Sequence, residues 1–204
     1  GGENAINFLK SVRNMLAGSA GGVNMTVKWD GAPAIVCGVN PENGKFFVGT
    51  KSVFNKTPKI NYTTSDIRRN HSGVVAQKLQ VCLNNLSRLN IKGILQGDLL
   101  FTNDLKAINI DGEKMVSFTP NTITYAVPIN SNIGQRIARA KMGIVFHTQY
   151  SGKSMDKLSA SFGTVTGSSN RNVFLASAGY KSTAVMFSKQ ELSRFDAQIR
   201  MAEG

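Results

Sequence analysis

Two apolar segments joined by a short polar turn constrain the fold of this chain more than any other feature. The segments "APAIVCGV" and "KFFVGTKSV" read as strands, and "NPENG" between them has the composition of a turn. Strands joined by so short a connection run antiparallel. The three segments together predict a hairpin, and therefore a sheet that is antiparallel at least in part.

Further strands and helices follow at irregular intervals. Apolar residues at helical spacing predict helices over Ala5–Leu16, Asp66–Leu89 and Ser131–Lys141, and a capping box at Ser188 and Glu191 predicts a last one. The other predicted strands are "NMTVKW", "IKGILQGDLLF", "MVSFTP", "NTITYAVP", "MGIVFHTQY", "NVFLAS" and "STAVMFS". The pattern predicts an α+β fold of mainly antiparallel sheets with flanking helices.

The length and apolar content are sufficient for one substantial core. The chain has 204 residues, of which 41% are hydrophobic, and we expect residues 1–204 to form a single domain. Residues 151–171 are rich in Ser and Gly and are expected to form a loop or a lid. No run of about 18 apolar residues could cross a bilayer, and the first residues lack the apolar core of a secretory signal. We therefore expect a soluble, cytoplasmic protein with no membrane partner.

Cysteine, histidine and charge limit the classes of function. Cys37 and Cys82 have neither CxxC spacing nor a nearby histidine pair, so the sequence supports no disulfide framework and no structural zinc site and predicts buried, reduced thiols. His71 and His147 are too few for a histidine-rich metal site, and each is expected to be a surface or hydrogen-bonded residue. The net charge of +12 is spread along the chain. It indicates a polyanionic partner, nucleic acid first, with solubility as the simpler explanation.

One strand carries two opposite charges on the same face. In "VKWDGAPA", Lys28 and Asp30 point to one side, while Val27 and Trp29 point to the other. The charged face could line a pocket, or it could be the solvated face of an ordinary surface strand.

Lys28, Asp30 and Gly31 spell KxDG, which resembles the signature of the covalent nucleotidyltransferases, the superfamily of ATP-dependent DNA ligases, RNA ligases and mRNA capping enzymes. Three later segments resemble the superfamily in the same order. They are "ILQGDLLF" with Asp98, "TITYAVP" with Tyr125, and "MGIVFHT". Uncharacterised ligase-like proteins of tailed bacteriophages are more similar still, because they carry "VKWDGAPA", "FFVGTKS" and "GIVFHT" in similar form.

The resemblance implies the fold of a ligase adenylation domain, a monomer in the cytoplasm of a bacterial host, ATP and Mg²⁺ as cofactors, and DNA or RNA ends as partners. It implies that Lys28 is the nucleophile and forms a lysyl-AMP intermediate, whose AMP passes to a nucleic-acid 5′-phosphate. The amine must be neutral to attack, which burial or a nearby cation such as Lys51 or Lys56 would favour. The implied nucleotide-binding residues are Thr26, Asp30, Gly31, Lys51, Asp98 and Tyr125, and Asp98 is also the implied metal ligand.

A second interpretation comes from another class of protein. Met142 stands before Gly143 where the superfamily usually has an acid, and its final KxK element has no clear match, so the domain is either truncated at its C-terminus or degenerate in its site. The alternative is a catalytically incomplete ligase-like module that binds nucleic acid or a nucleotide without covalent chemistry.

Overall fold

A computed structural model describes residues 32–162 and 170–176, and the backbone of residues 185–188. The predicted site residues Thr26, Lys28, Asp30 and Gly31 lie outside the described residues. The predicted helix at the start of the chain, the strand "NMTVKW" and the last helix lie outside them as well.

The described chain forms two compact units. The large unit consists of residues 32–103 and the described part of 140–176, and the small unit consists of residues 104–139 with 185–188. The strands, in chain order, are β1 (Ala34–Val39), β2 (Phe46–Gly49), β3 (Ile94–Phe101), β4 (Lys106–Ile110), β5 (Glu113–Phe118), β6 (Ile123–Pro128), β7 (Met142–Gly152), β8 (Leu158–Phe162), β9 (Val173–Leu175) and β10 (Val185–Ser188). The helices are α1 (Thr64–Asn70), α2 (Gly73–Leu86) and α3 (Asn132–Arg139).

The large unit is built on one sheet. Within the described residues its strand order is β2-β1-β3-β7-β8, with every neighbour on this path antiparallel, and β9 pairs with β7 in parallel. The predicted hairpin is confirmed as β1 and β2, joined by the turn at residues 41–43. The long strands β3 and β7 lie at the centre; β3 pairs with β1 and β7, and β7 pairs with β3, with β8 at its end and with β9 at its start.

The two faces of this sheet differ. One face packs against α2 through a large apolar cluster. The fully buried members of the apolar cluster between the sheet and the helix are Cys37, Val48, Leu79, Cys82, Leu86, Met142 and Ile144. The opposite face has a smaller apolar cluster of Val36, Phe47, Val53 and Ile94. Both cysteines are buried free thiols, as the sequence predicts, and burial raises the pKa of Cys82 to about 12.

The small unit is a separate antiparallel sheet with the order β10-β6-β5-β4, and α3 packs on β5 and β6. Its hairpin between β4 and β5 was not predicted. Asp111 and Gly112 form a two-residue connection in which both φ angles are positive, at 51° and 79°, as a type I′ turn requires. Asp-Gly is among the strongest sequence signals for such a turn, so β4 could have been found from this dipeptide.

Three predicted elements are wrong in detail. The helix predicted over Asp66–Leu89 is two helices, because His71 and Ser72 are extended and interrupt it. The strand predicted through "KFFVGTKSV" ends at Gly49. Thr50 then caps a 3₁₀ helix at Lys51–Phe54, its side chain accepting a hydrogen bond from the Ser52 N–H at 3.2 Å.

Part of the predicted Ser- and Gly-rich loop is a strand. Leu158–Phe162, within residues 151–171, is strand β8, because its backbone pairs with the end of β7 although most of its side chains are exposed. Thr148–Gly152 of β7 supplies the backbone hydrogen-bond partners of β8, which the apolar pattern of the sequence does not predict. The coarse prediction of an α+β fold with mainly antiparallel sheets is confirmed. None of the described helices is long and apolar enough to cross a membrane.

Candidate functional site

Polar side chains occupy the centre of the sheet face that α2 does not cover. On β3, Leu95 and Leu99 face the core beneath α2, so the alternation of the strand turns Gln96 and Asp98 to the opposite face. Asp98 lies opposite Ala34 of β1 and Val145 of β7, and its side chain is only 12% exposed. A nearly buried carboxylate in the middle of a sheet is uncommon without a specific role or partner.

A β-bulge in β7 brings a histidine to this carboxylate. Gln96 pairs with Thr148, but the next residue of β3, Gly97, pairs with Phe146, which leaves His147 as the extra residue. Phe146 remains in the core beneath α2. The bulge therefore turns His147 and Thr148 to the face of Asp98, where an unbroken strand would place only one of the two.

The contacts of His147 determine which ring nitrogen carries the proton in the neutral form. Its Nε2 lies 3.4 Å from Asp98 Oδ1, and its Nδ1 lies 2.7 Å from Thr148 Oγ1. A carboxylate only accepts hydrogen bonds, so Nε2 must donate to Asp98. Nδ1 then accepts a hydrogen bond from the Thr148 hydroxyl. The imidazole side chain is 43% exposed, so the pair has a buried acid and a solvent-accessible base.

Gly97 makes the bulge possible. A Cβ atom at this position would lie 2.4 Å from the carbonyl oxygen of Val145 and 3.0 Å from the Cα of Phe146. Both distances are to backbone, which cannot move aside like the end of a flexible side chain. Only glycine lets β7 approach β3 this closely, so the glycine of "QGD" positions His147 against Asp98 through sterics.

The polar side chains continue along the same face. The Tyr150 hydroxyl donates to Gln96 Oε1 at 2.6 Å, and the Tyr150 ring lies 5.0 Å from the ring of Phe54. We call the set Gln96, Asp98, His147, Thr148 and Tyr150 the polar row. It offers an acid, an imidazole, an amide and two hydroxyls on one surface, which are groups suited to binding the hydroxyls and phosphates of a nucleotide.

Asp98 is the member of the polar row that could hold a magnesium ion. Mg²⁺ prefers oxygen ligands and is commonly bound by one or two carboxylates together with substrate phosphates and water. The donor at Asp98 fits this mode. In the part of the chain that the structure describes, no group of three or more His, Cys, Asp and Glu side chains is arranged to hold a metal ion.

The other predicted site residues have different surroundings. Lys51 belongs to the large unit, as Asp98 does, and its side chain is exposed at the start of the 3₁₀ helix. Tyr125 is on β6 in the small unit, where its ring is 1% exposed and stacks on Phe118 at 5.6 Å. A ring buried to that degree has no face open to a nucleotide base, so in this conformation Tyr125 is a core residue.

Sequence reasoning did not assign a site role to four members of the polar row. The position of Gln96 beside Asp98 could have been predicted, because residues two apart on a strand lie on the same face of the sheet. Tyr150 and Thr148 are two residues apart and so share a face of β7, but no sequence pattern indicates that β7 pairs with the strand of Gln96. His147 was predicted to be a surface or hydrogen-bonded residue, and the successive polar residues of "HT" were the only signal of a bulge.

The family of the chain is shown by comparison with known families. The model of one family matches residues 1–204, the full length given. The chain belongs to a family of unknown function, DUF6267. Neither the comparison with curated proteins nor that with solved structures found a match. The description of DUF6267 names no reaction, so the motif and the polar row are the features that bear on function.

Proposed function

We propose that this protein is a ligase-like nucleotidyltransferase that uses ATP and Mg²⁺, forms a lysyl-AMP intermediate at Lys28, and passes AMP to the 5′-phosphate end of a DNA or RNA strand. One observation carries the proposal. The buried carboxylate of Asp98 lies opposite Ala34, which follows Lys28 by six residues and Asp30 by four. In the sequence, the first motif thus ends three residues before the strand that pairs with Asp98.

The reaction has two displacements at the α-phosphorus. The neutral Nζ of Lys28 attacks the α-phosphorus of ATP, the N–P bond forms, the bond to the β-phosphate oxygen breaks, and pyrophosphate leaves while the amine proton passes to water. An oxygen of the nucleic-acid 5′-phosphate then attacks the same phosphorus. The P–N bond breaks, the departing amine takes a proton from water so that the lysine is regenerated, and AMP is left joined to the strand end through an anhydride.

The described side chains have supporting roles in this proposal. Asp98 would accept a hydrogen bond from a ribose hydroxyl, or would hold the magnesium ion that neutralises the charge of the phosphates. His147, oriented by Thr148, holds the carboxylate in place by donating from Nε2. Lys51, exposed in the same unit, is suited to hold a phosphate as a point charge.

Transfer of the label from ATP tests the proposal. Wild-type protein incubated with α-labelled ATP and Mg²⁺ should carry acid-labile label on a denaturing gel, and Lys28→Ala should carry none. Lys114→Ala, which removes an exposed lysine of β5, is the matched control and should be labelled like wild type. Asp98→Asn should reduce labelling while the protein stays folded. If folded wild-type protein takes no label from ATP or GTP, covalent transfer is excluded.

The second candidate is the incomplete module that binds without forming an adduct. Met142 favours it, because this side chain is fully buried in the core beneath α2 at the position where the superfamily usually has an acid. Binding of a fluorescent ATP analogue or of nucleic acid by wild type and Lys28→Ala alike, with no label on either protein, would select this candidate.

A further inference from the structure

Positive charge is concentrated in the large unit. Its described residues include thirteen Lys and Arg against four Asp and Glu, whereas the described residues of the small unit include four against three. Nearly all of the excess charge in the described chain is therefore in the unit that carries the polar row. A charge of this size attracts polyanions over a distance of about 10 Å at ordinary salt.

One surface segment concentrates this charge beside an exposed ring. The lysine loop, residues 51–59, lies in a stretch that has no acid between Glu42 and Asp66. Lys56 and Lys59 are exposed, and within the described part of the chain neither forms an ion pair. Phe54 lies between Lys51 and Lys56 in the sequence and is 39% exposed.

The lysine loop is held in place by its own bonds. Val53 is buried at its centre in the apolar cluster on the polar-row face. The Ser52 carbonyl accepts hydrogen bonds from the N–H groups of Asn55 and Lys59, at 3.2 and 3.1 Å. The exposed ring and cations are therefore presented by a constrained backbone, which lowers the entropy lost when a ligand binds.

Phe54 is also fixed from the side of the sheet. Its ring lies 5.0 Å from the ring of Tyr150 at an interplanar angle of 50°, and the Tyr150 hydroxyl is hydrogen-bonded to Gln96. An exposed phenylalanine taken alone would be unremarkable, since folded proteins expose many apolar atoms. A ring that packs on a second aromatic, between exposed cations and next to the polar row, is suited to contact a flat, negatively charged ligand.

We propose that the lysine loop binds a single-stranded segment of nucleic acid, with Phe54 stacking on an unpaired base and Lys56 and Lys59 contacting the flanking phosphates. Proteins that bind single strands combine a positive surface with exposed aromatic rings on which bases stack. A duplex keeps the faces of its bases against one another, so it offers phosphates to the lysines but no base face to Phe54. The loop therefore favours the single strand.

This inference deepens the proposed function by naming the form of the nucleic-acid substrate, and it rests on that function only in the choice of nucleic acid as partner. Binding is measured without ATP, so failure of the covalent reaction and failure of this surface give separate results. A strand bound here would also reach the polar row through Tyr150.

Fluorescence anisotropy with labelled 20-mers of thymidine and of uridine, and with a 20-base-pair DNA duplex, tests the inference over a range of salt concentrations. Wild type should bind the single strands more tightly than the duplex. Phe54→Ala should weaken single-strand binding by about 5- to 150-fold, the usual cost of removing a stacking ring, and should leave duplex binding unchanged. Lys56→Ala and Lys59→Ala should each reduce the slope of log affinity against log salt by about 0.7.

Matched variants separate binding from folding. Phe54→Tyr keeps a ring and should bind like wild type, and Val74→Ala removes an exposed apolar side chain from α2 and should have no effect. Lys114→Ala is the control for lost charge. Each variant is compared with wild type by near-ultraviolet circular dichroism before binding is measured.

Two results would overturn the inference. Equal affinity of folded Phe54→Ala and wild type for the single strands would exclude stacking on this ring. Equal affinity of wild type for single strands, duplex and heparin would show a general polyanion surface with no preference for unpaired bases. A difference between the thymidine and uridine strands would identify which nucleic acid the loop prefers.

Discussion

The two faces of the large unit's sheet use the same strands for different purposes. Beneath α2 the strands contribute a large apolar cluster, which stabilises the fold by leaving water. On the opposite face the same strands present the polar row, whose burial costs free energy unless each group has a partner. The comparison shows that adjacent residues of β3 or β7 have different roles, because one side chain packs in the core beneath α2 and the next lies on the face of the polar row. Substitutions on the two faces should therefore have separable effects.

The largest loss of stability is expected beneath α2. Leu79 is fully buried against the sheet, so Leu79→Ala removes apolar contacts and leaves a cavity. The free energy of unfolding should fall by about 2–5 kcal/mol in urea denaturation. Val74→Ala, on the same helix but 63% exposed, should change it by less than about 0.5 kcal/mol. Similar losses for the two variants would contradict the assignment of this face as the main core.

The next largest effect is expected where the two faces are coupled. Gly97→Ala places a Cβ against the backbone of β7 and should cost about 1–3 kcal/mol of unfolding free energy. The shift of β7 should also separate His147 from Asp98 and weaken nucleotide binding. Asp98→Asn is the comparison variant, because it changes the acid without crowding the bulge. A Gly97→Ala protein with wild-type stability would show that the strands do not need this close approach.

A smaller loss is expected within the polar row. Tyr150→Phe removes the hydroxyl that donates to Gln96, and the unfolding free energy should fall by about 0.5–1.5 kcal/mol. A double-mutant cycle with Gln96→Ala should give a coupling energy of at least about 0.5 kcal/mol. Additive effects of the two substitutions would mean that the hydrogen bond contributes nothing to stability.

The smallest effect is expected from pH at His71. Burial, and then the positive charge of Lys59, lower the pKa of His71 below its ordinary 6.5. The Asn61 side-chain nitrogen lies 3.2 Å from His71 Nε2, a contact that needs this nitrogen unprotonated. The unfolded chain therefore binds a proton more readily than the folded chain does. Stability from this group is complete above pH 6.5 and is lost as pH falls through the folded-state pKa.

Urea denaturation at pH 7.5 and pH 5.5 measures this dependence. The midpoint for wild type should be lower at pH 5.5, and His71→Gln should reduce the difference. Asp66, whose pKa is lowered from 3.8 chiefly by the backbone N–H of Tyr62, loses its contribution only at more acidic pH and does not interfere. If the urea midpoint of His71→Gln changed between pH 7.5 and pH 5.5 as much as that of wild type, groups other than His71 would be responsible for the pH dependence.

Some of this architecture could be predicted from the sequence, and the reasons differ by residue. The strand that carries Asp98 could be predicted from its run of apolar residues, because such a run is a local property of the sequence. The bulge at His147 depends on how closely β7 approaches Gly97 across 49 residues of sequence, and no local pattern records that distance. Lys51 was placed on a strand as part of "KFFVGTKSV", but the Thr50 cap favours a 3₁₀ turn. Tyr125 was assigned to a site by motif order, while its packing on Phe118 makes it a core residue.

The order of elements along the chain also has a consequence for synthesis on the ribosome. The central strands β3 and β7 are separated by the entire contiguous part of the small unit, residues 104–139. A nascent chain can form the β1–β2 hairpin early, but it cannot close the centre of the large sheet until that segment has emerged. Such non-local pairing is slow and leaves the edge of β3 exposed meanwhile. We therefore expect the contact of Asp98 with His147 to form late in folding, and a spectroscopic probe of their proximity would measure when the sheet is completed.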